Sequence, residues 1–276
     1  MIRKHAVLRN FLRYGLLSCA AFIWIIPLFY VFIAAMKSQS DFVTSPFLSL
    51  PRRVEWSNFS QAWTVGQLGI YMRNSLLICV IKVPLGILLE SLAAFVLTRM
   101  DFRWSKLVFL FIFVGMIVPF QMTLVPLSIM GNELHLINTY FFLILMYLAF
   151  GLPFGVLVMR GFMRQIPKEL DEAAKMDGCS DLRIYWNIIL PICRPAVAAL
   201  VILDFLATWN EFLLAQTFIT NQDRLTLPAG LLQFTSQYST NYTLMMAGVI
   251  LSVIPVFVVY MAFQKYFVSG LQGAYR

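Results

Sequence analysis

The chain alternates between long apolar runs and shorter polar segments. Three of the runs, 14–36, 107–132 and 225–264, contain no charged residue, and three more of similar length hold only a few polar groups. A helix that crosses a bilayer needs about 20 mainly apolar residues. The pattern therefore predicts an all-α membrane protein with six crossings, at about 14–36, 74–98, 107–129, 138–160, 196–216 and 243–264.

The composition excludes an ordinary soluble domain. Hydrophobic residues make up 60% of the 276 positions and charged residues only 12%, about half the charged fraction of soluble proteins. Basic residues precede the first apolar run, as in a signal peptide, but the run exceeds the ~7–15 residues of a cleaved leader. We interpret it as an uncleaved first helix. No linker or repeat divides the rest, so a single membrane domain, 1–276, is predicted.

Candidate enzyme chemistry is sparse. The histidines are only His5 and His135, and the four cysteines are scattered without a C-x-x-C pair. Free thiols, no catalytic residue and no metal site are therefore predicted. The phosphate-binding pattern G-x-x-x-x-G-K-[ST] is also missing from the sequence. We expect that the chain is not an enzyme and that it binds no cofactor itself.

The distribution of lysine and arginine predicts the orientation in the membrane. Most of these 21 residues lie in 1–13, 99–106, 160–194 and 265–276, and few lie in the alternate connections. Because cytoplasmic loops retain positive charge, both termini are predicted to be cytoplasmic. The net charge of +8 then reflects topology and requires no nucleic-acid partner.

The only long cytoplasmic connection, 164–195, predicts two short helices. Pro167 suits a first helical position, and Gly178 suits a left-handed helix end. Ser180 can cap a second helix that runs to Pro191 and has an apolar face. Such a pair of helices can enter a groove on another protein as a rigid unit, or can lie on the membrane surface. The physical pattern alone leaves both possibilities open.

The spacing within this connection is more specific. Glu172-Ala173-Ala174, Gly178, Ile188 and Leu190-Pro191 are spaced as in the cytoplasmic EAA loop of permeases from binding-protein-dependent ABC importers. From about 70 to 272 the chain resembles the carbohydrate branch of that family, specifically the smaller, maltose-permease-G-like member of a two-permease pair. The residues that carry the likeness are Asn74-Ser75-Leu76, Ser91-Leu92-Ala93-Ala94-Phe95, Arg160-Gly161-Phe162, Trp209-Asn210-Glu211-Phe212-Leu213, Thr226-Leu227-Pro228 and Gln264-Lys265-Tyr266-Phe267-Val268.

The resemblance implies a type I ABC importer permease fold and one subunit of a sugar importer in the bacterial inner membrane. Its partners would be a second permease, two copies of an ATPase that binds ATP and Mg²⁺, and an extracytoplasmic solute-binding protein that delivers the sugar. The outer loop 217–242 would face the binding protein, and the loop 164–195 would couple the ATPase to the membrane helices. The coupling residues would be Glu172, Ala173, Ala174, Asp177, Gly178, Leu190 and Pro191.

Four ionisable residues fall inside predicted crossings, where each costs roughly 2.5–3.5 kcal/mol. At about 1.5 Å per residue, Lys82 and Glu211 lie about 22–24 Å from the cytoplasmic ends of their helices, and Glu90 and Asp204 about 10–13 Å. We therefore hypothesise that the second and fifth helices are neighbours, with Lys82 opposite Glu211 and Asn210.

These polar residues are candidates to line a substrate pathway. Gln121 and Asn74 join them because their amides can hydrogen-bond sugar hydroxyls. The alternative is that the charged residues only clamp helices together and never meet a substrate. The pathway candidates are Asn74, Lys82, Gln121, Asn210 and Glu211.

Other function classes fit parts of the sequence. An ion-coupled secondary transporter would use the charges inside the membrane, but it predicts an internal repeat that the sequence does not show. A structural or assembly factor would make the EAA spacing a coincidence. An ABC permease for a non-sugar solute would keep the mechanism and change the cargo. Copurification of an ATPase would distinguish an ABC permease from a secondary transporter and from an assembly factor.

Overall fold

The computed structural model describes the backbone of residues 2–235 and 241–273, and the side chains of residues 10, 12–235 and 241–265. Every secondary-structure element in these ranges is helical, which confirms the all-α prediction. Residues 236–240 of the predicted outer loop and residues 274–276 at the C-terminus lie outside the described residues. The α-helices are α1 (Ile2–Ala35), α2 (Gln39–Thr44), α3 (Ser57–Thr64), α4 (Leu68–Arg99), α5 (Ser105–Val114), α6 (Leu124–Glu133), α7 (Tyr140–Met163), α8 (Glu169–Met176), α9 (Asp181–Ile184), α10 (Leu190–Ile192), α11 (Arg194–Trp209), α12 (Leu213–Phe218), α13 (Leu227–Leu231) and α14 (Tyr242–Gly273).

Four helical segments of the described chain are long and apolar enough to cross a membrane. They correspond to the first, second, fourth and sixth predicted crossings: Leu12–Ala35, Leu68–Arg99, Tyr140–Met163 and Tyr242–Lys265. The segments Asp181–Ile192 and Arg194–Trp209 meet at 77° and would make a fifth crossing if they act as one span. The count of six crossings stays a prediction.

The third predicted crossing, 107–129, is not one continuous helix in the structure. Helix α5 ends at Val114, a 3-10 turn covers Phe120–Thr123, and α6 follows. Pro119 between them is extended, with φ −62° and ψ 118°, and a proline disfavours helical geometry in the residue before it. The break places Phe120 at the start of a short turn, where its ring faces the site described below.

The chain divides into two compact units, each built from two segments that are distant in sequence. The first comprises Met1–Gly69 and Leu231–Val253. Its core is formed by fully buried Ala35, Ala62 and Ala247, whose small side chains let helices approach closely. The Asn58 amide donates hydrogen bonds of 2.8 Å to the carbonyls of Ala35 and Lys37. Asn58 thereby satisfies carbonyls at the C-terminal end of α1.

The second unit comprises Ile70–Gly230 and Ile254–Arg276 and contains the predicted coupling loop and the candidate pathway residues. Aromatic contacts join its elements. The rings of Phe142 and Phe218 pack edge to face at 5.0 Å, and those of Phe95 and Tyr185 at 5.4 Å. The Tyr185 hydroxyl is also 2.8 Å from the Ser91 hydroxyl. Tyr185 therefore attaches the segment after α9 to α4 through both apolar and polar contacts.

Candidate functional site

The connection after α7, which the charge distribution predicts to be cytoplasmic, forms the two short helices that the sequence predicts. Helix α8 carries three acidic residues in its first turn, where they interact favourably with the positive end of the helix dipole. Gly178 follows with φ +80°, a left-handed conformation that glycine adopts without strain. Ser180 then caps α9 by accepting a hydrogen bond of 3.4 Å from the Arg183 amide. Helix α8 begins two residues after Pro167.

The second helix of this connection contains a π-helical turn, Tyr185–Ile189, between α9 and α10. A π turn widens the helix locally and often occurs at functional positions. Here it buries Tyr185 and Ile189 completely and leaves Trp186 about half exposed. We call residues 164–195 the coupling element.

The coupling element has one packed face and one open face. Ala174 is buried, whereas Glu172, Ala173 and Asp177 are exposed. Large apolar side chains are also exposed on the element, including Met176 at 89% and Leu182 at 61%. An apolar surface ringed by charged residues is typical of a docking site for another protein.

Arg99, at the end of α4, joins the coupling element to the membrane helices. Its guanidinium donates hydrogen bonds of 3.0 Å to the carbonyls of Met163 and Ile166 and lies 3.2 Å from a carboxylate oxygen of Asp171. The side chains of Arg99 and Asp171 are only 4% and 13% exposed. Burial raises the pKa of Asp171, and Arg99 opposes that shift. Sequence reasoning missed this role because Arg99 entered it only as a topology charge.

A large apolar cavity of about 690 Å³ lies beside the coupling element. Its walls come from α4, the segment 185–194, α11 and Phe263. Arg99 and the buried Tyr185 are the specific polar attachments of the element to α4.

Three of the four ionisable residues predicted inside crossings, Lys82, Glu90 and Asp204, are buried in α4 and α11. The fourth, Glu211, is partly buried and follows the end of α11. Lys82 and Asp204, which are 2% and 9% exposed, form an ion pair between α4 and α11. The second and fifth predicted helices are thus neighbours, but the hypothesis that Lys82 lies opposite Glu211 is corrected, because the Lys82 ammonium contacts the Asp204 carboxylate. Glu90, 1% exposed, lies close enough to Gly155 that a methyl group there would overlap its carboxyl group. Any larger side chain at position 155 would clash with Glu90, so this position requires a glycine.

Glu211 has a different set of partners. One carboxylate oxygen accepts a hydrogen bond of 2.7 Å from the Leu214 amide, and the other accepts bonds from the Ala215 amide at 3.1 Å and the Tyr147 hydroxyl at 2.7 Å. Glu211 therefore accepts hydrogen bonds from backbone amides at the start of α12 that have no partner within the helix, and it joins α12 to α7. Sequence reasoning missed Tyr147, because a tyrosine in an apolar run carries no distinctive signal.

Lys82 and Glu211 nevertheless line the same cavity, which we call the α7–α11 cavity. It has a volume of about 180 Å³, and its wall includes the charged residues Lys82, Asp204 and Glu211 and the rings of Phe120, Tyr147 and Phe150. Two of the predicted pathway candidates are thus brought together, by way of Asp204.

The other three pathway candidates do not line this cavity. Asn74 is 3% exposed, and its amide donates to the carbonyls of Asp223 at 2.9 Å and Leu225 at 3.0 Å. Asn210 is exposed and donates 3.0 Å to the carbonyl of Leu206 in the preceding turn. Gln121 lies exposed in the 3-10 turn after Pro119. Asn74 therefore fastens the segment that follows α12 to α4.

Replacing Asn74 by alanine should lower stability by about 1–3 kcal/mol, because the buried carbonyl of Leu225 and the partly buried carbonyl of Asp223 would lose their donor. Thermal unfolding of the purified protein in detergent measures this. Asn210→Ala is the matched control, since its amide is exposed and a change under about 0.5 kcal/mol is expected. Equal losses in the two variants would contradict the anchoring role of Asn74.

The described residues contain no group of three or more His, Cys, Asp or Glu side chains that could hold a metal ion. Among the cysteines, Cys79 and Cys193 are buried and Cys19 is exposed.

Comparison with known proteins gives a consistent result. Residues 82–273 match the family model of the binding-protein-dependent transport system inner membrane component. The chain is 35% identical over 266 residues to the diacetylchitobiose uptake system permease protein NgcG of Streptomyces coelicolor, covering 95% of this chain and 88% of that protein. It is 34% identical over 249 residues to AmyC of Thermoanaerobacterium thermosulfurigenes, a probable starch degradation products permease, covering 90% of each.

Solved structures show the same fold. A chain of a bacterial ABC transporter involved in the import of the acidic polysaccharide alginate matches with a TM-score of 0.80 at 22% identity, covering 94% of this chain and 96% of that chain. A chain of the MetNI methionine ABC transporter matches with a TM-score of 0.52 at 17% identity, covering 78% and 96%.

These matches confirm the resemblance drawn from the EAA spacing. They identify a multi-pass inner-membrane protein that is a transport subunit and not an enzyme. Because the family model covers most of the chain and relatives above 30% identity span nearly all of it, the chain belongs to the binding-protein-dependent transport system inner membrane components, the permeases of ABC importers.

Proposed function

We propose that this chain is one of two permease subunits of an ATP-driven importer that carries oligosaccharides into the cell. Its partners are a second permease, two copies of an ATP-binding subunit and an extracytoplasmic solute-binding protein. ATP and Mg²⁺ bind to the ATPase partner. The observation that carries the proposal is the coupling element, which exposes Glu172, Asp177 and Met176 and is attached to α4 and α7 through Arg99.

The exposed face of the element is the surface offered to the ATPase. Glu172, Ala173 and Asp177 face outwards and form the direct contact, whereas Ala174 packs inwards. Gly178 sets the angle between the two short helices, and Leu190 and Pro191 begin the helix that leads to α11. When two ATPase subunits close, they displace the element, and the buried attachments carry that motion to α4, α7 and α11.

The outer segment 217–242 is proposed to face the binding protein. Its described part is held by Asn74 and by Asn138, whose side-chain oxygen accepts hydrogen bonds from the amides of Thr220 at 2.6 Å and Asn221 at 2.9 Å. A rigid segment at this position can receive the binding protein and transmit its arrival to α4.

The sugar class of the cargo is supported by the names of the relatives. They include permeases for diacetylchitobiose, for starch degradation products and, in Halalkalibacterium halodurans, for arabinooligosaccharides at 31% identity over 91% of this chain and 90% of that protein. The cavity with aromatic and carboxylate walls suits a sugar ring, whose hydroxyls donate hydrogen bonds and whose C–H faces pack on aromatic rings.

The test is reconstitution of the whole transporter in proteoliposomes with its binding protein. ATP hydrolysis and uptake are measured across mono-, di- and oligosaccharides, amino acids and short peptides. Stimulation by one class of oligosaccharide is expected. Purification of the chain without an ATPase would refute the importer, and stimulation only by a non-sugar solute would overturn the sugar assignment and leave the coupling mechanism in place.

A further inference from the structure

The α7–α11 cavity carries an unbalanced negative charge. Lys82 is the only positively charged residue among those that line the cavity, and its ammonium group is already paired with Asp204. Glu211 accepts its hydrogen bonds from two backbone amides and a tyrosine hydroxyl, none of which is charged. Because a charge inside a membrane protein is weakly screened, the Glu211 carboxylate gives the cavity a negative potential.

The Asp204 carboxylate does not balance this charge. Its oxygen Oδ1, which lies near the cavity-lining Gly151, is paired with Lys82. Its oxygen Oδ2 is fully buried near Gly86 of α4 and has no hydrogen-bond partner among the described residues. Glu211 is therefore the carboxylate of this cavity that has no cationic partner among the lining residues.

The remaining walls fit a ring of modest size. The Phe120 and Phe150 rings lie 5.8 Å apart at 55° and form an apolar part of the cavity wall. The volume of about 180 Å³ is below the ~300–1,000 Å³ of typical ligand pockets, which favours a single sugar unit.

We propose that the α7–α11 cavity is a subsite for one uncharged sugar unit and that Glu211 makes it reject acidic sugars. The proposal rests on the sugar-importer function proposed above. Hydroxyl groups donate to the Glu211 carboxylate, whereas the carboxylate of an acidic sugar has no proton to donate and is repelled by Glu211. Glu211 is thus a specificity-determining residue that also caps α12.

The charge of the cavity is measured with a reporter cysteine. Ala207 lines the cavity and is exposed to it, so Ala207→Cys is introduced into the full transporter with Cys19 and Cys179 replaced by serine and no accessible cysteine in the partner subunits. The variant reacts with cationic and anionic methanethiosulfonate reagents of similar size. The ratio of the modification rates with the cationic and the anionic reagent is compared with the same ratio for a free thiol in solution. We expect this ratio to be at least about tenfold higher for Ala207→Cys.

Two variants then separate charge from structure. Glu211→Gln should lower that preference at least about threefold, because it removes the charge and keeps the shape. Tyr147→Phe removes the hydrogen bond to Glu211 but keeps its charge, so the preference should persist. Equal reaction with both reagents, or equal loss in both variants, would overturn the charged subsite.

Protection experiments test the ligand. A neutral oligosaccharide should slow modification of Ala207→Cys, and an oligosaccharide of uronic acids should not. Equal protection by the two overturns selection by charge. If a sugar stimulates ATP hydrolysis but does not slow modification of the cysteine, the subsite is overturned and the importer function stands. If no sugar stimulates ATP hydrolysis, the proposed function is overturned. In that case the preference between the two reagents still measures the charge of the cavity.

Discussion

Replacing Lys82 by methionine is expected to lower the free energy of unfolding by about 3–5 kcal/mol, because Asp204 would be left as a buried charge without its cationic partner. Methionine retains most of the length and apolar volume of the lysine stem, so loss of the charge dominates the effect. Thermal unfolding of the purified complex in detergent measures the loss.

A double variant tests whether the pair is the cause. Lys82→Met combined with Asp204→Asn removes both charges and should recover at least half of the lost stability, since well-packed neutral residues often replace a buried ion pair at little cost. Lys106→Met is the matched control at an exposed lysine and should change stability by less than about 0.5 kcal/mol. A double variant no more stable than Lys82→Met would show that Lys82 and Asp204 are not coupled.

The same substitution bears on the pathway. Uptake should fall in Lys82→Met whether Lys82 clamps helices or touches the substrate. Only a pathway role predicts a changed preference among sugars in a complex that still assembles. An unchanged preference would assign Lys82 to the helix clamp.

The sequence predicted the helices whose signal is local. Continuous apolar runs predicted α1, α4, α7 and α14, and the glycine and serine of the coupling element predicted where α8 ends and α9 begins. The third predicted crossing failed as one helix because hydropathy averages over the Pro119 break, which is a matter of backbone geometry and not of polarity.

The partner of Lys82 could not be predicted from depth alone. Asp204 was placed about 9 Å closer to the cytoplasm than Lys82 by residue counting, yet the two side chains meet. Counting assumes that neighbouring helices begin at one level, and α11 instead follows a bend of 77°. Arg99 was missed for a related reason, because its partners are backbone carbonyls of Met163 and Ile166, which leave no trace in a sequence pattern.

Replacing Arg99 by alanine should uncouple ATP hydrolysis from sugar uptake. The guanidinium connects α4 to the end of α7 and to Asp171 in α8, so its removal leaves the coupling element without its main polar attachment. We expect the amount of sugar transported per ATP hydrolysed to fall at least about tenfold, since loss of one member of a buried ion pair costs several kcal/mol. Parallel measurements of uptake and phosphate release in proteoliposomes give this ratio.

Matched variants separate coupling from assembly. Arg103→Ala removes an exposed arginine near the same end of α4, one that stacks on Trp104, and should leave the ratio unchanged. Arg99→Lys keeps the charge but cannot reach two carbonyls and a carboxylate together, so it should give an intermediate ratio even if Arg99→Ala does not assemble. A result in which both variants assemble with the ATPase and transport the wild-type amount of sugar per ATP hydrolysed would show that motion of the coupling element does not pass through Arg99. The buried contacts of Tyr185 with α4 would then be the route to test.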